Sequence, residues 1–246
     1  YTEIFFYEQL IKNNFTNYTS GFWFGFKEKK YSLSKLLPSL EDITNLDYQI
    51  LNIFYKSGIK VFIVFFSEKN KTFFYLKYNP KTCQNIEHIR INAIPYPKCA
   101  TNVPIPRISE RNPSRHRQAF EFLNSYNHLK RSAVERAFAN CYIGNGSFWD
   151  IDYFVNYKNT IYAFEVKQKY PTAKGTFGLN VGLTNLFHFI NNSGIKVIHV
   201  ILTKPVNDYN IPSIDFYTKS EYKSKSYWIA TKVTDHLTSV KKSLAP

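Results

Sequence analysis

Two carboxylates and one amine stand at spacings that can do chemistry. They are Asp152, Glu165 and Lys167, within the run WDIDYFVNYKNTIYAFEVKQK from Trp149 to Lys169. Side chains alternate along a strand, so a first strand puts Asp150, Asp152 and Phe154 on one side and Trp149, Ile151, Tyr153 and Val155 on the other. Tyr157, Lys158 and Asn159 supply turn chemistry, and Thr160 to Val166 resumes as a strand in which Ile161, Ala163, Glu165 and Lys167 share a side. A hairpin of these strands gathers Asp152, Glu165 and Lys167 around one small volume. Hard cations such as Mg²⁺ take oxygen ligands, commonly one or two carboxylates completed by water and substrate phosphate. An ion at Asp152 and Glu165 can polarise a phosphodiester and lower the pKa of a bound water. Lys167 can orient that water or offset charge growing on the phosphate. The competing account is a solvated hairpin face on which Glu and Lys happen to alternate. Asp150 shares the face of Asp152, but Ile151-Asp152-Tyr153 fits a buried ligand better, so Asp152 ranks first.

Helices and strands on either side must position these groups. From Ser114 to Tyr142 the pattern is helical, with Val134, Ala137, Phe138 and Cys141 forming an apolar stripe at i, i+3, i+4, i+7. Glu135 lies beside that stripe, although Ser132 and Glu135 also have the spacing of a capping box. After the hairpin, Leu179 to Asn191 reads as a helix closed by Ser193 and Gly194, and Lys196 to Leu202 as an apolar strand buried on both faces. The lone histidines His188 and His199 read as core or edge residues.

Asp152, twelve intervening residues, then Glu165-Val166-Lys167 resembles the D…(D/E)-x-K signature of the restriction-endonuclease-like nucleases, the PD-(D/E)XK superfamily. The usual Pro before the Asp is replaced by Ile151. The resemblance covers residues 115 to 204 and names a superfamily rather than an enzyme. It implies an αβββαβ core in a mixed α/β (α+β) chain and a Mg²⁺-dependent phosphodiesterase, with Mn²⁺ able to substitute. It also implies Asp152 and Glu165 as metal ligands, Lys167 as the aid to the attacking water, and Glu135, in the segment SAVER, as a further acid of the cluster. The pattern alone supplies helix, strand, strand, helix, strand. The remaining strand is sought in Ala139 to Ile143 or around Trp149.

Composition fits a polyanionic partner. Lys and Arg outnumber Asp and Glu by 32 to 18 in 246 residues, a net +14 that favours nucleic acid, most simply DNA, or an acidic membrane surface. No apolar run is long enough to span a bilayer, and no leader pattern opens the sequence. The chain starts at Tyr1 and has no Met, which reads as trimming or processing. Cys83, Cys99 and Cys141 are odd in number and widely spaced, arguing against a disulfide framework or zinc site and for an intracellular home. A Gly-rich phosphate loop is absent, so ATP-driven action has no support.

The remaining segments suggest two domains. Residues 1 to 13 carry a weak helical pattern, Phe22 to Phe26 reads as a strand, and Ser39 to Tyr55 as one helix with Ser39 as N-cap and Asp42 at N3. Val61 to Phe66 and Thr72 to Tyr78 read as a hairpin. Six of the eleven prolines fall between Asn79 and Pro113, which reads as a linker ending in the basic cluster Arg107, Arg111, Arg115, His116 and Arg117. The predicted organisation is therefore a 1–105 α/β unit for recognition or partner binding, with its Pro-rich linker, and a 106–246 nuclease domain. The tail from Ile214 to Trp228 mixes aromatics with lysines, and Ile229 to Leu244 reads as a final basic helix. Two readings compete: an endonuclease, acting as a homodimer or larger complex where paired cuts are made, or with RNA as its substrate; and a non-catalytic nucleic-acid-binding scaffold on the same fold.

Overall fold

The computed structural model describes residues 2–83, 85–96, 117, 120–121, 123–142, 147–169, 179–203 and 227–232. It is a mixed α+β structure whose strands form mixed sheets. The chain divides into two compact units, one made of Tyr1–Thr16 with Asp152–Pro246 and the other of Asn17–Ile151. The predicted division into 1–105 and 106–246 draws different units, and position 105 lies outside the described residues. Also outside them are the arginines at 107, 111 and 115, His116, the loop after Lys169, and the tail apart from 227–232.

The unit 17–151 opens with a short strand β1 (Tyr18–Thr19) and a hairpin of β2 (Phe22–Lys27) and β3 (Lys30–Leu37). Glu28 and Lys29 form its turn with φ of 52° and 62°, left-handed values that suit the twist of a two-residue hairpin. The single helix expected over 39–55 is in fact two pieces. A 3₁₀ turn at Leu40–Asp42 uses the Ser39 cap, and α2 (Asn45–Lys56) starts afresh at Thr44. Thr44 and Asp47 form the second capping box, which makes Thr44 a stronger start signal than the periodicity alone revealed. Then come β4 (Lys60–Ser67), β5 (Thr72–Lys77), α3 (Ile86–Asn92), β6 (Ile94–Pro95), α4 (Leu129–Tyr142) and β7 (Ser147–Ile151). The sheet order is β6-β5-β4-β3-β2-β7, with β3 and β4 parallel and the other pairs antiparallel. α3 and β6 occupy the first part of the supposed linker. Ile89 is fully buried and Tyr75 pairs with Ile94, so residues up to 96 belong to this unit.

In the unit 1–16 with 152–246, α1 (Thr2–Lys12) precedes β8 (Tyr153–Tyr157), β9 (Thr160–Lys169), α5 (Val181–Asn192), β10 (Lys196–Thr203) and β11 (Tyr227–Lys232). Here β8 and β9 are antiparallel, β9 and β10 parallel, and β10 and β11 antiparallel. α5 begins at Asn180, whose side chain accepts a hydrogen bond from Leu183 N at 2.7 Å, and it buries Leu183, Leu186, Phe187 and Ile190. That spacing of four apolar residues stabilises the layer by roughly 1.5–3 kcal/mol each. The helix lets the chain return in parallel beside β9, as a parallel pair requires. α1 packs on β9, with the Phe6 ring 5.9 Å from Tyr153 and 5.1 Å from Phe164.

Three expectations are corrected. Residues 139–142 are helical and β7 joins the six-stranded sheet, so neither supplies a third strand ahead of α5 in the smaller unit. Residues 229–232, read as the start of a helix, are strand, because their backbone pairs with β10 from Ile201↔Ile229 to Ile198↔Lys232. Cys83 is a free buried thiol, but Cys141 is disulfide-bonded, against a reading from spacing that saw no disulfides. Among the described residues, no helix is long and apolar enough to cross a membrane.

Candidate functional site

The hairpin turn fixes where the acids fall. Lys158 and Asn159 have φ of 48° and 62°, so β8 and β9 are joined by a two-residue left-handed turn, with Tyr157 paired to Thr160 and Tyr153 to Phe164. Carried one residue further, that register sets Asp152 opposite Glu165. The strand read as continuous from Trp149 to Val155 breaks at Asp152, which belongs to neither β7 nor β8. Its side chain explains the break locally. Asp152 Oδ2 accepts a hydrogen bond from Val166 N at 2.6 Å, so a carboxylate takes a backbone donor that ladder pairing would otherwise use. Asp150, on β7, lies in the other unit from Asp152.

Both acids are out of water: Asp152 is 8% exposed and Glu165 2%. Lys167 Nζ lies 2.7 Å from Glu165 Oε1, with the lysine side chain 37% exposed. Buried carboxylates persist where hydrogen bonds, cations or metals compensate them. Here Val166 N–H serves Asp152, and the Lys167 ammonium serves Glu165.

His199 belongs to the same surroundings, although its sequence context signalled only a core residue. It is the cross-strand partner of Glu165 in the parallel ladder, is 4% exposed, and has its ring 6.1 Å from that of Phe187 on α5. Paired positions share a face, so α5 lies over the face that carries Glu165 and His199, while α1 covers the opposite face through Phe164. Glu8 on α1 is a second acid the periodicity passed over, 7% exposed in the same unit. Neither had a local signal, since what distinguishes them is burial and register.

Glu135 is the remaining predicted acid. It is on α4 in the unit 17–151, where its Oε1 pairs with Arg131 Nε at 2.9 Å, one helical turn away. These two groups flank a buried cluster. Lys35 Nζ lies 2.7 Å from Asp47 Oδ1, 2.8 Å from Thr19 Oγ1 and 2.5 Å from the Ser20 carbonyl, using all three of its donors. Asp47 also accepts from Thr19 Oγ1 at 2.5 Å, from Thr44 N at 2.8 Å and from Thr44 Oγ1 at 2.9 Å. Burial pulls the Lys35 ammonium down to about 8, opposed by the adjacent Asp47 carboxylate. Gly21 makes room beside it. Its φ is +78°, and a Cβ there would sit 2.6 Å from the Leu36 carbonyl oxygen and 2.8 Å from Arg131 Nη2. Every polar group of this cluster is answered by a protein partner, which marks it as structural.

Among the described residues, no three or more His, Cys, Asp or Glu side chains gather as a metal-binding group. The carboxylate pair nevertheless fits a hard divalent cation, which needs only one or two carboxylates beside water and phosphate. Comparison with known protein families, with characterised proteins and with solved structures finds no match to this chain.

Proposed function

We propose that this chain is a Mg²⁺-dependent endonuclease hydrolysing phosphodiester bonds in DNA, built on a restriction-endonuclease-like core, with Mn²⁺ able to substitute. The observation that carries this reading is the pair of buried carboxylates, Asp152 and Glu165, set opposite one another by a short hairpin, with Lys167 on Glu165. Further support comes from the elements after it. A helix and a parallel apolar strand follow the acid-bearing hairpin in the order the resemblance implies.

Asp152 and Glu165 would hold the divalent ion. Bound there, it supplies Lewis-acid polarisation of the phosphate and a water of lowered pKa. Hydrolysis joins the water oxygen to phosphorus and releases a sugar oxygen, which takes up a proton. Lys167, a third exposed and tethered at 2.7 Å to Glu165, presents positive charge where negative charge grows on the phosphate oxygens. The Val166 N–H holds the Asp152 carboxylate in one orientation. Glu135, tied to Arg131 in the other unit, is the remaining candidate for the acidic cluster, and its own substitution tests it. The +14 net charge supplies attraction for a polyanion, and paired cuts would need a homodimer or larger complex.

A second reading, a non-catalytic nucleic-acid-binding scaffold, draws on the absence of a third metal-binding side chain beside this pair among the described residues. One experiment separates them. Plasmid, linear and branched DNA and RNA are incubated with Mg²⁺, Mn²⁺ or EDTA, using the parent chain, Glu165→Gln and Lys167→Met. Metal-dependent cutting of DNA that both substitutions abolish supports the endonuclease. Cutting of RNA alone moves the activity to the RNA-cleaving relative, and binding without any cutting leaves the scaffold.

A further inference from the structure

The six-stranded sheet treats its two faces differently. One face carries the fully buried Phe22, Phe24, Leu33, Val61 and Ile63, with the Phe24 ring 5.1 Å from Phe54 of α2. On the other face, among the described residues, α4 covers one end, where Leu36, Val64 and Phe73 pack with Val134, Ala137 and Phe138. Beyond that end the registers define two rows on the same side. The first runs Phe148, Gly25, Ser32, Lys60 across β7, β2, β3 and β4. Asp150, Trp23, Ser34, Phe62 and Lys77 make up the second, and Lys27 pairs with Lys30 at the hairpin end.

The composition of these rows is specific. Small residues, Gly25, Ser32 and Ser34, form a floor between aromatic rings. Phe148 lies directly on the bare Gly25 backbone, since a Cβ built there would be 2.7 Å from its ring. Its side is 39% exposed, while Trp23 and Phe62 are half-buried at the margin of the α4 cluster. Lys27, Lys30, Lys60 and Lys77 are exposed; the acids beside them among the described residues are Asp150 and Glu28, the latter 4.0 Å from Lys27 Nζ at the hairpin turn.

We infer that this open end of the sheet is a binding platform for single-stranded nucleic acid, with bases stacked on Phe148, Trp23 and Phe62 and phosphates held by the four lysines. Aromatic side chains stack on unpaired bases whatever their sequence, and a basic surface tracks the backbone. From β7 to β4 the rings span three strand spacings, roughly 14 Å. Stacked nucleotides advance by about 3.4 Å each, so a few bases fit. A duplex offers no free base faces to these rings, and among the described residues no helix projects from this face to enter a groove. A protein partner fits poorly, because lysine is depleted at protein interfaces. The inference rests on the endonuclease reading only in giving the substrate a single-stranded stretch; binding itself needs no cleavage.

The test is fluorescence anisotropy of the full chain with labelled oligo-dT and with a duplex of equal length, in EDTA over a range of salt. The variants are the triple Lys30→Ala/Lys60→Ala/Lys77→Ala, Phe148→Ala, and a control triple Lys12→Ala/Lys56→Ala/Lys81→Ala at exposed lysines off this face. We expect the single strand to bind more tightly than the duplex. The first triple should weaken it at least tenfold and reduce the slope of log K against log salt by about 2, at roughly 0.7 per phosphate contact. Phe148→Ala should weaken binding about tenfold with the slope unchanged. The control triple should do less than either. Equal binding by the first triple and the control overturns the inference. So does duplex binding that depends on these residues as strongly, or their serving only phosphatidylserine vesicles. Glu165→Gln should bind as the parent does, so a loss of cutting with intact binding bears on the endonuclease alone, and lost platform binding with cutting intact bears on the platform alone.

Discussion

Two lysine–carboxylate pairs with the same 2.7 Å separation, Lys35–Asp47 and Lys167–Glu165, occupy the two units. In the first, both side chains are enclosed, at 3% and 0% exposure, and Thr19, Ser20 and Thr44 answer the remaining donors and acceptors. In the second, the acid is enclosed but the lysine is 37% exposed. A sealed pair can serve only the fold, because nothing can reach it. A pair with a buried acid and an accessible cation can meet an incoming anion, and that asymmetry separates the proposed site from a structural cluster of similar charge.

The comparison is broken most directly by activity. Asp152→Asn and Glu165→Gln should each cut the metal-dependent cleavage rate by roughly 10³ or more, about 4 kcal/mol of transition-state stabilisation, while both chains still unfold cooperatively. Retained cleavage by either variant would remove the proposed role. In the sealed cluster the large effect should be on stability instead. Asp47→Ala leaves an uncompensated buried ammonium and should cost about 3–5 kcal/mol in urea unfolding. The double change Lys35→Met/Asp47→Leu should restore most of that, since buried ion pairs are often replaced by apolar residues without loss.

Lys167→Met sharpens the contrast. It should slow cleavage by roughly 10²–10³, as removal of one charge-stabilising donor does, yet shift stability by less than about 1 kcal/mol because the side chain is partly exposed. A smaller effect follows from pH. His128, at the start of α4, is pulled down to about 4 by burial and then by Arg131. Its unfolded value is about 6.5, so the unfolded chain binds the extra proton between those values and stability falls as pH drops from 6.5 toward 4. In urea melts His128→Gln should remove that part of the acid loss, on the order of 1 kcal/mol after allowance for solvent screening. Smallest is Glu135→Gln, which deletes an i,i+4 pair and should cost about 0.3–0.5 kcal/mol. A drop in cleavage well beyond that would place Glu135 in the acidic cluster, and unchanged cleavage would confine it to Arg131.

The local chemistry of the site was legible in the sequence. Lys158 and Asn159 are residues that accept the left-handed turn, and the period-two pattern on either side fixes which residues share the face of Glu165. Asn180 and the Leu183, Leu186, Phe187, Ile190 spacing likewise determine a capped amphipathic helix, because caps and periodicity act within a turn or two of chain. The second start at Thr44 is masked in the sequence by the Ser39 cap nearby, which carries a similar signal.

What the tertiary structure alone decided involves partners far apart in the chain. Periodicity saw one strand from Trp149 to Val155, yet Asp152 separates β7 from β8 and the two lie in different units. The placement of His199 beside Glu165 required the parallel register of strands more than thirty positions apart, and residues 229–232 became a strand only because β10 offered an edge. The type and spacing of residues determine what a segment can form, because those preferences are local. Which strand edge or charge it meets depends on long-range pairing, whose free energy is realised only when distant parts of the chain come together.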